Sequence, residues 1–209
     1  MPSGSLLLDA FKECSHVTHR KGMFQNLKKI LPDNLQTSKT IIANIREKLK
    51  LDFREYWHQQ IHNDSRSQYG NKLRHYRTLK QHFVKETYLS SLNQYSLRSK
   101  LANLRLSSHK LNIETGRYIR GTNRLPPEQR ICQKCDQETC ENEFHFIVEC
   151  PHYSELRNSL MSTLVEKYNF IANYNQKDLY HWLMCNTDDF VLYLFSKFVK
   201  NAFIHRGNN

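Results

Sequence analysis

The chain has 209 residues, 39% hydrophobic and 24% charged with six glycines, a globular composition that excludes a low-complexity or disordered polymer. No run reaches the roughly 18–20 uninterrupted apolar residues of a membrane span; the richest stretch, 190–203, is interrupted by Ser196, Lys197, Lys200 and Asn201. The formal net charge of +11 is concentrated in one block, because residues 66–134 hold 15 Lys/Arg against Glu86, Glu114 and Glu128, while the remainder is close to balance.

The N-terminal Leu6-Leu7-Leu8 lacks a preceding positive region and meets Asp9 at once, which is too short for a signal peptide. The expectation is an intracellular protein, of nucleus or cytoplasm, in which clustered cysteines serve a metal before a disulfide.

Along the chain the periodicity is helical. Ile41, Ile45, Leu49, Phe53, Trp57 and Ile61 recur at i+4, with Thr37 and Ser38 placed to cap, and predict an amphipathic helix over about 38–62. Residues 63–71 read as a loop by composition. Leu73, Tyr76, Leu79 and Phe83 predict a second, strongly basic helix, and Leu89, Leu92, Leu97, Leu101 and Leu104 a third over 88–106. Gly116 is expected to end a short helix that carries Leu111 and Ile113. Residues 121–127 form a linker, since Pro126-Pro127 cannot continue a helix. Further helices are predicted over 153–168 and 177–185. A last helix is expected to be capped by Thr187, with Asp188 and Asp189 in its first turn and Val191, Leu194, Phe195, Phe198 and Val199 facing inward. The fold class is mainly α: a helical bundle-like domain with a small zinc-stapled Cys-Cys-His-Cys knuckle. Its parts are an N-terminal helical segment (1–64), a basic helical segment (65–124), the knuckle (125–157) and C-terminal helices packing on the rest (158–209).

Four of the six cysteines lie within 132–150. Cys132-x2-Cys135 lets two thiolates of a tight knuckle face one centre, and His145-x4-Cys150 suits a turn of helix plus a residue. Three thiolates and one imidazole make a soft, closed tetrahedral set, so one structural Zn²⁺ is expected on Cys132, Cys135, His145 and Cys150. Cys140 is the rival ligand, though it stands in the most polar stretch, and His152 ranks lower because Pro151 turns the chain before it. Five acids and no Lys or Arg lie between Cys135 and Cys150, so the knuckle reads as a poor phosphate surface whose work is to position the basic block beside it.

That block interleaves cations with Tyr69, Tyr76, Phe83, Tyr88, Tyr95 and Tyr118, a pattern suited to phosphate backbones. Its candidate contacts are Lys72, Arg74, Arg77, Lys80, Arg98, Lys100, Arg105, Lys110, Arg117 and Arg120.

The run 101–111 (LANLRLSSHKL), Glu114-Thr115-Gly116-Arg117-Tyr118, Arg130-Ile131-Cys132, Glu143-Phe144-His145-Phe146 and Cys150-Pro151-x-Tyr153-x3-Arg157 resembles the C-terminal region of reverse transcriptase polyproteins of non-LTR (LINE-type) retrotransposons. Tyr56-Trp57 and residues 71–80 resemble the segment preceding that finger. The resemblance implies a post-polymerase tail whose zinc knuckle and upstream basic region contact template RNA or target DNA. It also implies that other domains of a reverse transcriptase are partners.

No catalytic residue is expected. Asp188-Asp189 is the one Asp-Asp pair, and its place at a helix start explains it; there is no phosphate-cradling Gly-rich loop and no Gly-x-Ser-x-Gly nucleophile. His75, His82 and His181 read as surface or satisfied core positions. The expected partners are RNA and/or DNA, with no membrane and no small-molecule substrate. The competing readings are a structural or protein-interaction zinc module and a non-functional retroelement remnant.

Overall fold

The computed structural model describes residues 39–62, 73, 75–80, 82–118 and 125–207, and the chain divides into two compact units, 1–60 and 61–209. The predicted loop at 63–71 and most of the linker lie outside the described residues.

In the first unit the expected long helix is present as α1 (Lys39–His62), stiffened by the i,i+4 pair of Lys48 and Asp52 at 2.8 Å. Phe53, on the predicted apolar row, is exposed, as are Leu51 and Tyr56.

In the second unit the element order is α2 (Tyr76–Leu79), α3 (Tyr88–Ser91), α4 (Tyr95–Arg105), α5 (Asn112–Thr115), α6 (Ser154–Lys167), α7 (Gln176–Cys185) and α8 (Asp189–Gly207). Among the described residues there is no strand, only the antiparallel bridge of Ile131 with Cys140. The core is built on α8, which packs chiefly on α4 and then on α6. Val191, Phe195, Val199 and Ala202 of α8 are fully buried with Leu101 and Leu104 of α4 and Leu164 of α6. The segment of the Cys/His cluster shares this core through Phe146, Ile147, Val148 and Cys150.

Two of the predicted helices depart from the periodicity. The predicted second helix shrinks to the single turn α2, because Lys80 leaves helical geometry at φ −103°, ψ 94°. Its Nζ donates to the Val84 carbonyl at 2.6 Å and pairs with Glu86 at 2.6 Å, so the chain turns over 80–86 and carries Glu86 to Arg105. The third helix is split at Leu92, whose extended backbone frees its carbonyl for Arg98 Nη1 at 2.9 Å. The bend places both Tyr88 and Leu92 in the core.

Gly116 does follow α5, but its φ of −62° is ordinary helical backbone. Glycine is required there for space, since a Cβ would stand 2.8 Å from Cγ of the fully buried Arg130.

The cap of α8 is Asp188, not Thr187. Its Oδ1 accepts the N–H groups of Phe190 at 2.9 Å and Val191 at 3.2 Å, and its carbonyl accepts Leu192 N–H. Asp188→Ala is expected to cost about 1 kcal/mol. The Val191 N–H above all holds the Asp188 carboxyl below its usual range. The cap therefore acts in full above the unfolded carboxylate value of about 4 and fades as pH falls through the lower folded value. Urea unfolding of both forms at pH 7 reads the difference.

Candidate metal centre

The chain around the four donors folds by local hydrogen bonding. After a 3-10 turn at Pro127–Gln129, Cys132 N–H donates to Thr139 O at 2.8 Å and Glu141 N–H to Arg130 O at 2.9 Å. The ribbon turns at its tip with Glu138 in the left-handed region, φ 50°. Cys132 and Cys135 sit on this ribbon.

His145 and Cys150 come from one π-helical turn, His145–Glu149, closed by Cys150 N–H on the His145 carbonyl at 2.8 Å. Five residues on, an α-helix has rotated well past its starting face, while the wider π turn brings the residue back. The local π geometry is thus what makes a His-x4-Cys spacing usable by one ion. Arg157 holds the end of the turn, with Nε donating to Ile147 O at 2.8 Å and Nη2 to Cys150 O at 2.6 Å.

The four donor atoms lie within 4.8 Å of one another. Cys132 Sγ is 3.9 Å from Cys150 Sγ, and Cys135 Sγ is 3.3 Å from His145 Nε2. Metal–sulfur bonds of about 2.3 Å and metal–nitrogen bonds of about 2.0–2.1 Å in a tetrahedron place sulfurs about 3.8 Å apart and sulfur about 3.6 Å from nitrogen. The cluster could hold a metal ion. No described cysteine is in a disulfide.

His145 is 1% exposed, and its Nδ1 faces Glu149 Oε2 at 3.3 Å, which turns Nε2 toward the thiols. A carboxylate behind a ligating imidazole is the usual device for fixing its tautomer and orientation. Glu149 was missed in the sequence, although an acid four residues after His145 on the same turn is a readable signal. Burial pushes the Cys132 thiol up and that of Cys150 up to about 12. A cation would make them thiolates at neutral pH, so metal uptake at such a cluster would be coupled to proton release.

The two rival ligands stand outside the cluster. Cys140 Sγ donates to the Pro127 carbonyl at 3.2 Å. His152 packs on His205 and Tyr153, with ring centroids 4.5 and 4.9 Å away, and burial first, then the His205 charge, lowers its pKa.

The acidic character expected of the segment is half internal. Asp136 and Glu138 are exposed and Glu149 is partly so, but Glu141 and Glu143 are fully buried. Glu141 accepts Asn112 N–H at 2.7 Å and Arg206 Nη2 at 2.8 Å, and burial pushes its carboxyl up. Glu143 accepts the Ser107 hydroxyl at 2.8 Å and lies between His75 Nε2 at 2.9 Å and His109 Nε2 at 3.0 Å. His75, set aside in the sequence as an ordinary surface or core position, is therefore part of a buried polar network.

The ten basic candidates divide. Arg105 is 6% exposed, paired with Glu86 at 2.9 Å and set over the Tyr88 ring at 4.9 Å, so it is a core residue and no phosphate contact. Arg117 pairs with buried Glu114 at 2.9 Å, and Arg98 and Lys80 are committed to Leu92 O and to Glu86 as described above. Arg77 is half-buried, whereas Lys100 and Lys110 are exposed, as is Lys85, which was not among the candidates. Lys72, Arg74 and Arg120, with Tyr69, lie outside the described residues.

No helix among the described residues is long and apolar enough to cross a membrane. No protein-family model matches the chain, nor does any curated protein or solved structure.

Proposed function

We propose that the chain is a non-catalytic nucleic-acid-binding module, of the kind found in the C-terminal region of a non-LTR reverse transcriptase, folded by one structural Zn²⁺. The ligands are Cys132, Cys135, His145 and Cys150. A closed set of three thiolates and one imidazole suits this soft, d¹⁰ ion and leaves no position for a catalytic water. Zinc would supply folding energy and fix the angle between the ribbon and the π turn.

The observation that carries the reading is the direct attachment of the cluster to the basic segment. Ile113 N–H donates to Glu141 O at 3.1 Å, Asn112 N–H to Glu141 Oε2, and Glu143 holds His75 and His109. Ordering the metal segment thus orders the turn and helices that present Lys100 and Lys110. The exposed lysines supply charge without base readout, so RNA and DNA are both expected to bind, largely independently of sequence.

The test is fluorescence anisotropy of the full chain with labelled single-stranded DNA and RNA 20-mers across salt concentrations. Each phosphate neutralised should contribute about −0.7 to the slope of log K against log salt. With at least three exposed lysines the slope is expected near −2 or steeper. Absence of binding at low salt, or binding without salt dependence, would overturn the reading.

A second reading has its own support. The inward commitment of Arg105, Arg117, Arg98 and Lys80 to the fold is what a structural or protein-docking module would show. Salt-independent behaviour in the same assay would favour it.

A further inference from the structure

A pocket of about 510 Å³ opens between α4, the turn after it and the C-terminal end of α8, lined by Lys100, Ser108, Lys110, Thr115, Phe203 and Arg206 among others. None of the described residues lining it is acidic. Lys100 and Lys110, both in its lining, are exposed. Arg206 comes from α8. Its Nη2 is taken by Glu141 Oε2 at 2.8 Å and by the Lys110 carbonyl at 3.2 Å, and its Nε is buried without a hydrogen-bond partner.

We propose that this pocket is a phosphate-binding subsite, built by Lys100 and Lys110 with Arg206 behind them, that seats one backbone phosphate of a single-stranded nucleic acid. The inference rests on the nucleic-acid reading above and locates it.

Charge and shape both favour a phosphate here. The C-terminal end of the α8 dipole, worth about half a negative charge, opens on the same space, but the two ammonium groups of Lys100 and Lys110 outweigh it, the Arg206 charge being balanced by Glu141. The Ser108 hydroxyl offers a neutral donor at the wall. The aromatic residue is not a base platform. Phe203 is stacked on Phe146 at 4.7 Å and on His109 at 6.1 Å, with Lys100 Nζ 5.9 Å from its centroid. A base has no open ring face to stack on, so the pocket reads the backbone and not the sequence.

The sequence could not assemble this site. Lys100 and Lys110 are near one another in the chain, but Arg206 reaches Lys110 O across 96 positions. Arg206 is left unmutated in the test because it also holds Glu141.

Full-chain wild type, Lys100→Gln/Lys110→Gln and a charge-matched control, Lys177→Gln/Lys197→Gln on exposed positions, are compared by anisotropy with single-stranded DNA and RNA 20-mers across salt. The one phosphate seated here should contribute about 0.7 to the salt slope, so the pocket variant should lose about that much and bind roughly tenfold or more weakly at low salt. The control should match wild type. In parallel, inorganic phosphate is titrated into wild type and amide NMR shifts of residues 108–110 and 203–207 are followed. If wild type binds the oligonucleotides and the pocket variant is unaffected, the subsite is overturned and the nucleic-acid reading stands. If no oligonucleotide binds but phosphate shifts those amides, the pocket takes a free anion and the nucleic-acid partner is overturned. If neither binds, both fall.

Discussion

Removing the metal from the zinc-loaded protein with a chelator at pH 7, or replacing Cys150 by Ser, should abolish the cooperative thermal unfolding of the second unit. Apparent binding free energies of structural zinc are about 10–16 kcal/mol at neutral pH, which equals the whole stability of a typical domain. The local structure explains the dependence. The ribbon between Ile131 and Cys140 has one isolated bridge, and the π turn that follows is a rare backbone form. Without an ion, four donors with two raised thiol pKa values face one another within 4.8 Å. Phe146, Ile147 and Val148 are buried beside them, so melting of the turn opens the core against α8. Differential scanning calorimetry of holo and metal-free protein reads this directly. A metal-free midpoint within about 5 °C of the holo value, a difference of roughly 1–2 kcal/mol for a unit of this size, would mean that the core holds the segment by itself.

Glu143→Ala should destabilise the loaded protein by about 3–5 kcal/mol, the cost of breaking a buried charged network by removing one member. The carboxylate is fully buried and serves three side chains at once: Ser107 at 2.8 Å, His75 at 2.9 Å and His109 at 3.0 Å. His75 continues to the Tyr180 hydroxyl at 3.2 Å on α7. Ser107 also sits in the left-handed region, φ 50°, a conformation costing of order 1 kcal/mol that its bond to Glu143 helps to offset. Alanine would leave two imidazoles and a hydroxyl facing an empty buried space. Glu143→Gln, which keeps the shape and one acceptor, should cost less, about 1–3 kcal/mol. Urea unfolding with unchanged m values would establish the order. An alanine cost below 1 kcal/mol would show that water or rearranged side chains replace the carboxylate.

The Cys/His cluster that could hold a metal was legible because its signal is local and chemical. Thiols and an imidazole at Cys-x2-Cys and His-x4-Cys have few other reasons to share a short segment, and Cys140 betrays itself by its polar neighbours. Helices α1, α6, α7 and α8 were legible for a similar reason, since burial along one face writes itself at i+3 and i+4. The breaks at Lys80 and Leu92 were not, because their causes are pairings across the fold: Glu86 with Lys80 and Arg105, and Arg98 with the Leu92 carbonyl. The same holds for charge. A count over residues 66–134 treats every cation as surface, yet Arg105 meets Glu86 from 19 positions away and lies over Tyr88. Glu141 and Glu143 looked like acidic surface until Arg206, His75 and His109 arrived from distant parts of the chain. Chemistry that is local in sequence could be read; pairing that exists only in the fold could not.

The central claim, one structural zinc on Cys132, Cys135, His145 and Cys150, is tested most directly by elemental analysis of the purified full chain and four variants. The account predicts one zinc per chain in wild type and in Cys140→Ser, and none retained in Cys132→Ser, His145→Ala or Cys150→Ser. Stoichiometric zinc in Cys150→Ser, or its loss in Cys140→Ser, would contradict the assignment; a wild type without bound metal would contradict the site itself.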